Sequence, residues 1–248
     1  MTTLGSLLCG HGQCEGIAKT ALDQLRASID KFGVRATTFL REASSDEMLT
    51  FGPFCSRVLL ENSCAALVGR LDAFRMLYLS EFQAQPEYEP GKRARSAFSW
   101  NGDVMTEDKS NQLWNIDNDV PKISRALFSR HFEHVYWKPA IESMLDFVSK
   151  PPVDTLLADV LAIDADSYIG QTKGRGAQLY STLSKGVHWE FFTSALVFDE
   201  STVKTAIRDT CLLVAHLGLA SHFIPTAYAS LEPAKAVDEY LAFRKLVP

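Results

Sequence analysis

The stretch from residue 124 to 134 holds the densest group of chemically active side chains in this sequence: Arg125, Arg130, His131 and His134. Arg130 and His134 are four residues apart, so a helix would present both on one side. An imidazole can move the proton of a ribose 2′-hydroxyl while a guanidinium stabilises the pentavalent phosphate, which would cleave RNA without metal. Apolar residues flank His131 at four-residue spacing, and the alternative is that His131 lines the core.

A further histidine, His188, ends the segment LYSTLSKGVH, in which Tyr180 and Ser184 precede it at four-residue steps. Those steps place the three polar side chains on one side of a helix. One interpretation is that they act on a substrate together with the Arg130 group. The other is a buried, hydrogen-bonded network of Tyr180, Ser184 and His188 that fixes the register of the helix.

This segment resembles the end of the HEPN-like helical domains found in bacterial abortive-infection and toxin proteins, and the helix order of the second half of the chain agrees with it. The resemblance implies an all-helical bundle directed at RNA in bacterial defence. In catalytic members it implies a metal-independent endoribonuclease, with Arg130, His131, His134 and His188 as the candidate catalytic residues.

The catalytic motif of that family departs from this sequence in two places. Active members carry an arginine, then a polar residue, then a histidine after a gap of four to six residues. Here Ala126 follows Arg125, and the gap between Arg130 and His134 is only three. Since many members are non-catalytic, the alternative function is a helical interaction or scaffold protein that binds a protein partner or a second copy of itself.

A long irregular connection is predicted between residues 85 and 120, where proline, glycine and polar residues remove the helical period. Within it lies the segment GKRARSAFSWNGD, which mixes basic and aromatic side chains. These residues are candidates for holding phosphate and stacking on a base: Lys92, Arg93, Arg95 and Trp100. The alternative is that the cations pair with the nearby Glu87 and Glu89.

The composition limits where any polyanion could bind. The 248 residues carry a net charge of −5, so an RNA site must be a local basic patch. The odd set of five cysteines, with no secretory segment, indicates a reduced cytoplasmic location. No apolar run reaches the roughly 20 residues of a membrane span, so no membrane association is expected.

Motifs for nucleotide, metalloprotease and hydrolase chemistry are absent, and no cofactor is expected. Cys9, His11 and Cys14 lack a further nearby pair to complete a zinc site, and none is predicted. Three carboxylates, at Asp159, Asp164 and Asp166, would suit a divalent ion, but helix capping explains them more simply.

The elements that must position these residues are predicted to be helices. Leucine and alanine far outnumber valine and isoleucine, which favours helix over strand. We predict a single all-α domain over 1–248, a bundle of about eight helices. A front helical pair spans 13–84, the loop spans 85–120, and a rear helical group spans 121–248.

Two apolar stripes support this assignment most clearly. The first recurs every three or four residues and predicts one continuous helix: Leu60, Cys64, Leu67, Leu71, Phe74, Tyr78 and Phe82. The second predicts a buried helix over 201–221: Val203, Ile207, Cys211, Val214 and Leu217.

Glycines at 170, 174 and 176 are predicted to break or delay the helix between 164 and 187. Charged residues along the first stripe suggest an interhelical ion-pair network or a groove lining: Arg57, Glu61, Arg70, Asp72 and Arg75.

Overall fold

The structure, a computed structural model, describes residues 4–11, 17–42, 44–88, 127–188 and 198–248. The regular elements within these ranges are all helical, which confirms the prediction of an all-α bundle of about eight helices. Their order along the chain is α1 Leu4–Cys9, α2 Ile17–Arg41, α3 Ser45–Leu71, α4 Ala73–Gln83, α5 Arg130–Phe132, a π-helical turn Glu133–Trp137, α6 Lys138–Val148, a 3-10 turn Thr155–Leu157, α7 Ala158–Leu161, α8 Tyr168–His188, α9 Glu200–Ser221 and α10 Pro233–Arg244.

The helix α3 lies at the centre of the bundle and packs against α2, α8 and α9. Its first turn is capped by Ser44, whose hydroxyl accepts a hydrogen bond from the Glu47 amide at 3.2 Å. Its inner face buries small and apolar side chains from Met48 to Val68. Because these three helices surround one side of α3, the exposed residues of α3 within the described ranges lie on its outer face.

The predicted continuous stripe through residue 82 is wrong beyond Leu71, because the helix breaks at Asp72. Asp72 has φ −143° and ψ 81°, so α4 starts in a new direction and register. Met76 becomes the buried residue of α4, whereas Phe74 and Tyr78 are 67% and 64% exposed. The spacing of apolar residues continues across the break although the helix does not.

The predicted break at the glycines of α8 is also wrong, since α8 runs unbroken from Tyr168 to His188. Gly170 and Gly174 lie on its outer face, where each costs about 1 kcal/mol of helix propensity relative to alanine. The buried face of α8 offsets this cost with Ile169, Leu179 and Leu183. The second stripe is confirmed: α9 spans 200–221 and buries all five predicted residues.

The short helix α1 lies inside the bundle against α2, α9 and α10, with Leu4, Leu7 and Leu8 fully buried. Gly10 ends it at φ 77°, in the left-handed region. A Cβ at this position would lie 1.8 Å from the Ala229 carbonyl oxygen, so only glycine fits.

The connection predicted over 85–120 is described only for residues 85–88, which form turns after α4. Within the described ranges, none of the helices combines the length and apolar character needed to cross a bilayer.

Candidate functional site

The residues of the predicted Arg130 group lie on α5 and the π-helical turn that follows it. Arg130 pairs with Glu133 through Nη1 and Oε2 at 2.9 Å. His131 is buried, with 5% of its surface exposed, whereas His134 is exposed. Consecutive turns of this segment therefore place the two imidazoles in different surroundings.

The remaining predicted catalytic residue, His188, is the exposed last residue of α8. This helix packs against α3 and α9, while the segment from Arg130 to Trp137 runs directly into α6, which packs against α9 and α7. The four candidates are thus divided between two parts of the bundle. On α8, the Ser184 hydroxyl donates to the backbone carbonyl of Tyr180 at 2.7 Å, and both side chains are half-buried.

The four predicted phosphate-binding residues lie outside the described residues: Lys92, Arg93, Arg95 and Trp100. Cys14, considered above as a zinc ligand, also lies outside them. Among the described residues, no three His, Cys, Asp or Glu side chains lie close enough to hold a metal ion. Asp159 accepts from Arg244 at 3.0 Å, and Asp164 accepts from the Ser167 hydroxyl at 2.6 Å, just before α8 begins. The Asp164 contact lowers the pKa of that carboxyl.

Tyr180 meets Arg57 of α3, a contact that joins two helices. The Arg57 Nη2 donates to the Tyr180 hydroxyl at 2.8 Å, and its Cζ lies 4.6 Å from the centroid of the same ring. Arg57 Nε also pairs with Glu61 at 3.1 Å. The side chain of Arg57 keeps 23% of its surface exposed. A cation and an aromatic ring are therefore held together at the surface between α3 and α8.

Gly186 allows α8 to approach α3 this closely. A Cβ on Gly186 would lie 2.8 Å from the Cβ of Pro53 and 2.7 Å from the Phe198 ring. Neither of these groups can move without shifting a helix or a packed ring. The close approach fixes the position of Tyr180 relative to the outer face of α3.

Two exposed phenylalanines continue this face toward α2. Phe51 and Phe54 are 54% and 49% exposed, and Phe54 packs edge to face on Phe32 of α2 with ring centroids 6.0 Å apart. Lys31 lies 5.9 Å from the Phe32 ring centroid. Phe54 and Arg57 are three residues apart and so are neighbours on α3.

Burial raises the pKa of the Cys55 thiol, and the positive charges of Arg35 and Lys31 act in the opposite direction. Lys31 lies beside the Phe32 ring on which Phe54 packs, and Arg35 follows four residues later on the same side of α2. We call this region the α2–α3–α8 surface and define it by these residues: Lys31, Arg35, Phe51, Phe54, Arg57, Tyr180 and His188. His188 belongs to it because two four-residue steps along α8 separate it from Tyr180.

A second polar centre lies at the other end of α3 and is buried. Arg70, 2% exposed, donates to the Tyr228 carbonyl at 2.8 Å, to the Ser221 hydroxyl at 2.5 Å and to the Ser230 hydroxyl at 3.0 Å. Its Nη2 lies 3.1 Å from His222 Nδ1. One side chain thus holds the segment after α9 against the end of α3.

The hydrogen bonds of His222 fix its tautomer. Its Nδ1 accepts from the Leu231 amide at 3.0 Å, so Nε2 carries the proton and donates to the Leu7 carbonyl at 2.7 Å. Burial, together with the charge of Arg70, lowers the pKa of His222 to about 2. Burial lowers the pKa of His216 to about 4, and its ring stacks on Tyr240. Both imidazoles are neutral structural groups.

Comparison with family models, with curated proteins and with solved structures finds no match for this chain.

Sequence reasoning missed the α2–α3–α8 surface, although one signal for it is present. At 100° per residue, Phe51 lies opposite the predicted stripe that begins at Leu60, and Phe54 lies well away from it. Large aromatic residues off the buried stripe of a helix indicate an exposed apolar face. The pairing of Arg57 with Tyr180 had no such signal, since 123 residues separate them.

Proposed function

We propose that this chain is a cytoplasmic RNA-binding protein of the HEPN-like, bacterial defence type, and that it binds single-stranded RNA on the α2–α3–α8 surface. The observation that carries the proposal is the exposure of Phe51 and Phe54 between cations of α2 and α3. Single-strand binders combine exposed rings, on which bases stack, with cations that follow the phosphates.

Local charge supports the proposal. In a chain of net charge −5, this surface carries Lys31, Arg35 and Arg57, which outnumber its two acidic neighbours on α3, Glu61 and the exposed Glu47 one turn before Phe51. The ring of Tyr180, one face of which lies under the Arg57 guanidinium, adds a third aromatic ring to this surface. His188 extends the same face along α8. The resemblance of residues 179–188 to the end of HEPN-like domains also supports the proposal, because Tyr180 and His188 belong to this surface.

The test is fluorescence anisotropy of a labelled 12-nucleotide oligo(U) RNA with the wild-type chain and a Phe51→Ala/Phe54→Ala double variant. Each lost base stack costs about 1–3 kcal/mol, so the double variant is expected to bind roughly 30-fold or more weakly. The matched control is Phe74→Ala/Tyr78→Ala, which removes two even more exposed rings from α4 and should bind RNA like the wild type. Equal affinity in the wild type and the Phe51/Phe54 variant would refute the proposal.

Salt dependence tests the charges separately. For single strands, the slope of log affinity against log salt changes by about 0.7 per phosphate neutralised. Lys31→Ala or Arg35→Ala should each reduce the slope by about that amount, while Lys235→Ala on α10 should leave it unchanged. Equal slopes in all three variants would remove these cations from the interface.

Cleavage is measured in the same samples, with chelator present, by electrophoresis of the RNA. Of the four predicted catalytic residues, only His188 is a member of the proposed surface. Fragments that disappear in His188→Ala would add an endoribonuclease activity to the binding function, whereas intact RNA leaves a binding protein. Helicity measured by circular dichroism must be unchanged in the variant.

A second candidate function, self-association, is favoured by α4. Phe74, Tyr78 and Phe82 repeat every four residues on its outer face and remain exposed. Because the outer rings lie four residues before and four after Tyr78, a two-fold axis through Tyr78 would pair Phe74 of one copy with Phe82 of the other. Sedimentation should then give a dimer for the wild type and for Phe51→Ala/Phe54→Ala, and a monomer for Phe74→Ala/Tyr78→Ala. A monomeric wild type excludes this function.

A further inference from the structure

A cleft of about 260 Å³ opens between α8 and α9. Arg175 and Asp209 form an ion pair that joins the two helices at the cleft. Leu179 and Ala206 supply apolar surface, and the rest of the lining is polar. The cleft is therefore large enough for a small polar group and has one wall on each helix.

The charges of the cleft are balanced. Arg175 gives one guanidinium nitrogen to the Asp209 carboxylate and another to the Gln178 side-chain oxygen, at 2.8 Å. Since the Gln178 oxygen is the acceptor in this contact, its amide group faces other ligands as a donor. An anion gains little from an arginine that a carboxylate already neutralises. The electrostatics favour a neutral ligand.

Hydroxyl groups make up most of the polar lining. Thr182 comes from α8, and Ser201, Thr202 and Thr205 come from the first turns of α9. The Ser201 hydroxyl donates to the Asp199 carboxylate at 3.0 Å, so toward the cleft it serves as an acceptor. Each threonine hydroxyl both donates and accepts, and an alcohol needs both in a partner. Together with the apolar patch, this lining matches a sugar ring with one polar edge and one C–H face.

We propose that the cleft between α8 and α9 binds the ribose of a ribonucleotide through its hydroxyl groups. This inference rests on the proposed RNA-binding function and gives it a means to distinguish RNA from DNA, because the 2′-hydroxyl is the group that differs. The strand would reach the cleft from Tyr180 across the outer face of α8. No side chain obstructs that face at Gly174, which is exposed and where an added Cβ would meet no heavy atom within 4 Å.

The experiment uses free nucleosides, so it does not depend on binding of the strand. Saturation-transfer NMR is recorded for uridine and 2′-deoxyuridine with the wild type and with Thr182→Val/Thr205→Val, which keeps side-chain shape and removes one hydroxyl from each wall. We expect the wild type to saturate uridine at least about threefold more than 2′-deoxyuridine, and the variant to lose this difference. Thr20→Val, an exposed position on α2, is the matched control and should retain it.

Equal signals for the two nucleosides in the wild type, or an unchanged difference in the double variant, would overturn the inference. Anisotropy with the 12-nucleotide oligo(U) separates this result from failure of the proposed function. RNA that binds on Phe51 and Phe54 without uridine in the cleft leaves the RNA surface intact and refutes only the ribose site. Uridine in the cleft without RNA binding refutes the α2–α3–α8 surface instead. Thermal unfolding by circular dichroism checks that all variants are folded.

Discussion

Arg57 and Arg70 lie on the same helix, α3, and have opposite roles. Arg70 is 2% exposed and donates to carbonyl and hydroxyl oxygens of the segment after α9. Arg57 keeps 23% of its side chain exposed, stacks on Tyr180 and pairs with Glu61. The first arginine contributes its hydrogen bonds to the fold, whereas the second presents a cation and a ring to solvent.

The difference comes from what surrounds each end of α3. At residue 70, the chain that follows α9 closes over the guanidinium, and the backbone amide of Tyr228 returns a hydrogen bond to the Arg70 carbonyl at 2.8 Å. At residue 57, α8 approaches on one side, and the outer face of α3 is exposed among the described residues. The same residue type therefore stabilises the bundle at one end and is available for binding at the other.

Arg70→Met gives the largest expected effect. The substitution leaves the Tyr228 carbonyl and the hydroxyls of Ser221 and Ser230 without a buried donor, and unsatisfied groups of this kind cost about 1–3 kcal/mol each. We expect the free energy of unfolding to fall by about 3 kcal/mol or more, measured by urea denaturation at pH 8. Arg57→Met should cost about 1 kcal/mol or less, because its contacts are partly solvated.

The control for this comparison is Arg208→Met, which removes an exposed arginine of α9 and should change stability by less than about 0.5 kcal/mol. Losses of the same size at positions 57 and 70 would contradict the division between a structural and a surface arginine.

Most of the fold could be predicted from the sequence, because the helices are specified by the local spacing of apolar residues. The stripe from Val203 to Leu217 specifies both a helix and its buried side, and α9 follows it. The stripe through Phe74 and Tyr78 failed because burial is decided by which helices meet. Beyond Asp72, α4 turns its aromatic residues away from the core, and no spacing within the helix records that change.

The residues of the candidate surface were harder to predict from the sequence, for a related reason. Arg57 and Tyr180 are brought together by the packing of α3 on α8, which depends on long-range contacts such as that of Gly186 with Pro53. The histidines of residues 131 and 134 show the same limit at short range. Their spacing gives the helix, but the side that is buried follows from the packing of that helix, whose continuation α6 contacts α9 and α7.

The second prediction is that lowering the pH reduces the free energy of unfolding through His222, the buried partner of Arg70. The pKa of His222 is about 2 in the folded chain and near 6.5 when unfolded. Below pH 6.5 the unfolded chain therefore binds a proton that the folded chain refuses, and stability falls as the pH falls. Lowering the pH from 8 to 5.5 should cost about 1.4 kcal/mol through His222, and His216 should add a similar loss.

Urea denaturation at several pH values between 8 and 5.5 measures this loss while ordinary carboxylates stay ionised. His222→Gln should be less stable at pH 8, but its stability should decline with a slope smaller by one proton. An unchanged slope in His222→Gln would show that this imidazole does not take up a proton on unfolding. Replacing Arg57 should leave the slope as it is, because no buried imidazole pairs with it among the contacts described.

The smallest expected change in stability comes from removing the hydroxyl of Tyr180, the partner of the exposed Arg57. Tyr180→Phe removes the hydroxyl that accepts from Arg57 but keeps the ring under the guanidinium, so the cost in stability should be about 0.5–1 kcal/mol. Tyr180→Leu also removes the ring and should cost about 0.5–1 kcal/mol more. Urea denaturation of both variants, alone and combined with Arg57→Met, gives the coupling energy between the two side chains.

A double-mutant cycle isolates that coupling because the loss from Tyr180→Phe should vanish once Arg57 is already methionine. The same variants also distinguish the role of Tyr180 in stability from its role in RNA binding. The ring is the part of Tyr180 that a base can stack on, so Tyr180→Phe should keep the affinity for oligo(U) and Tyr180→Leu should lower it by about fivefold or more. If both substitutions left the affinity unchanged, Tyr180 would hold α8 to α3 in the same way that Arg70 holds the end of α9, and the surface would be restricted to α2 and α3.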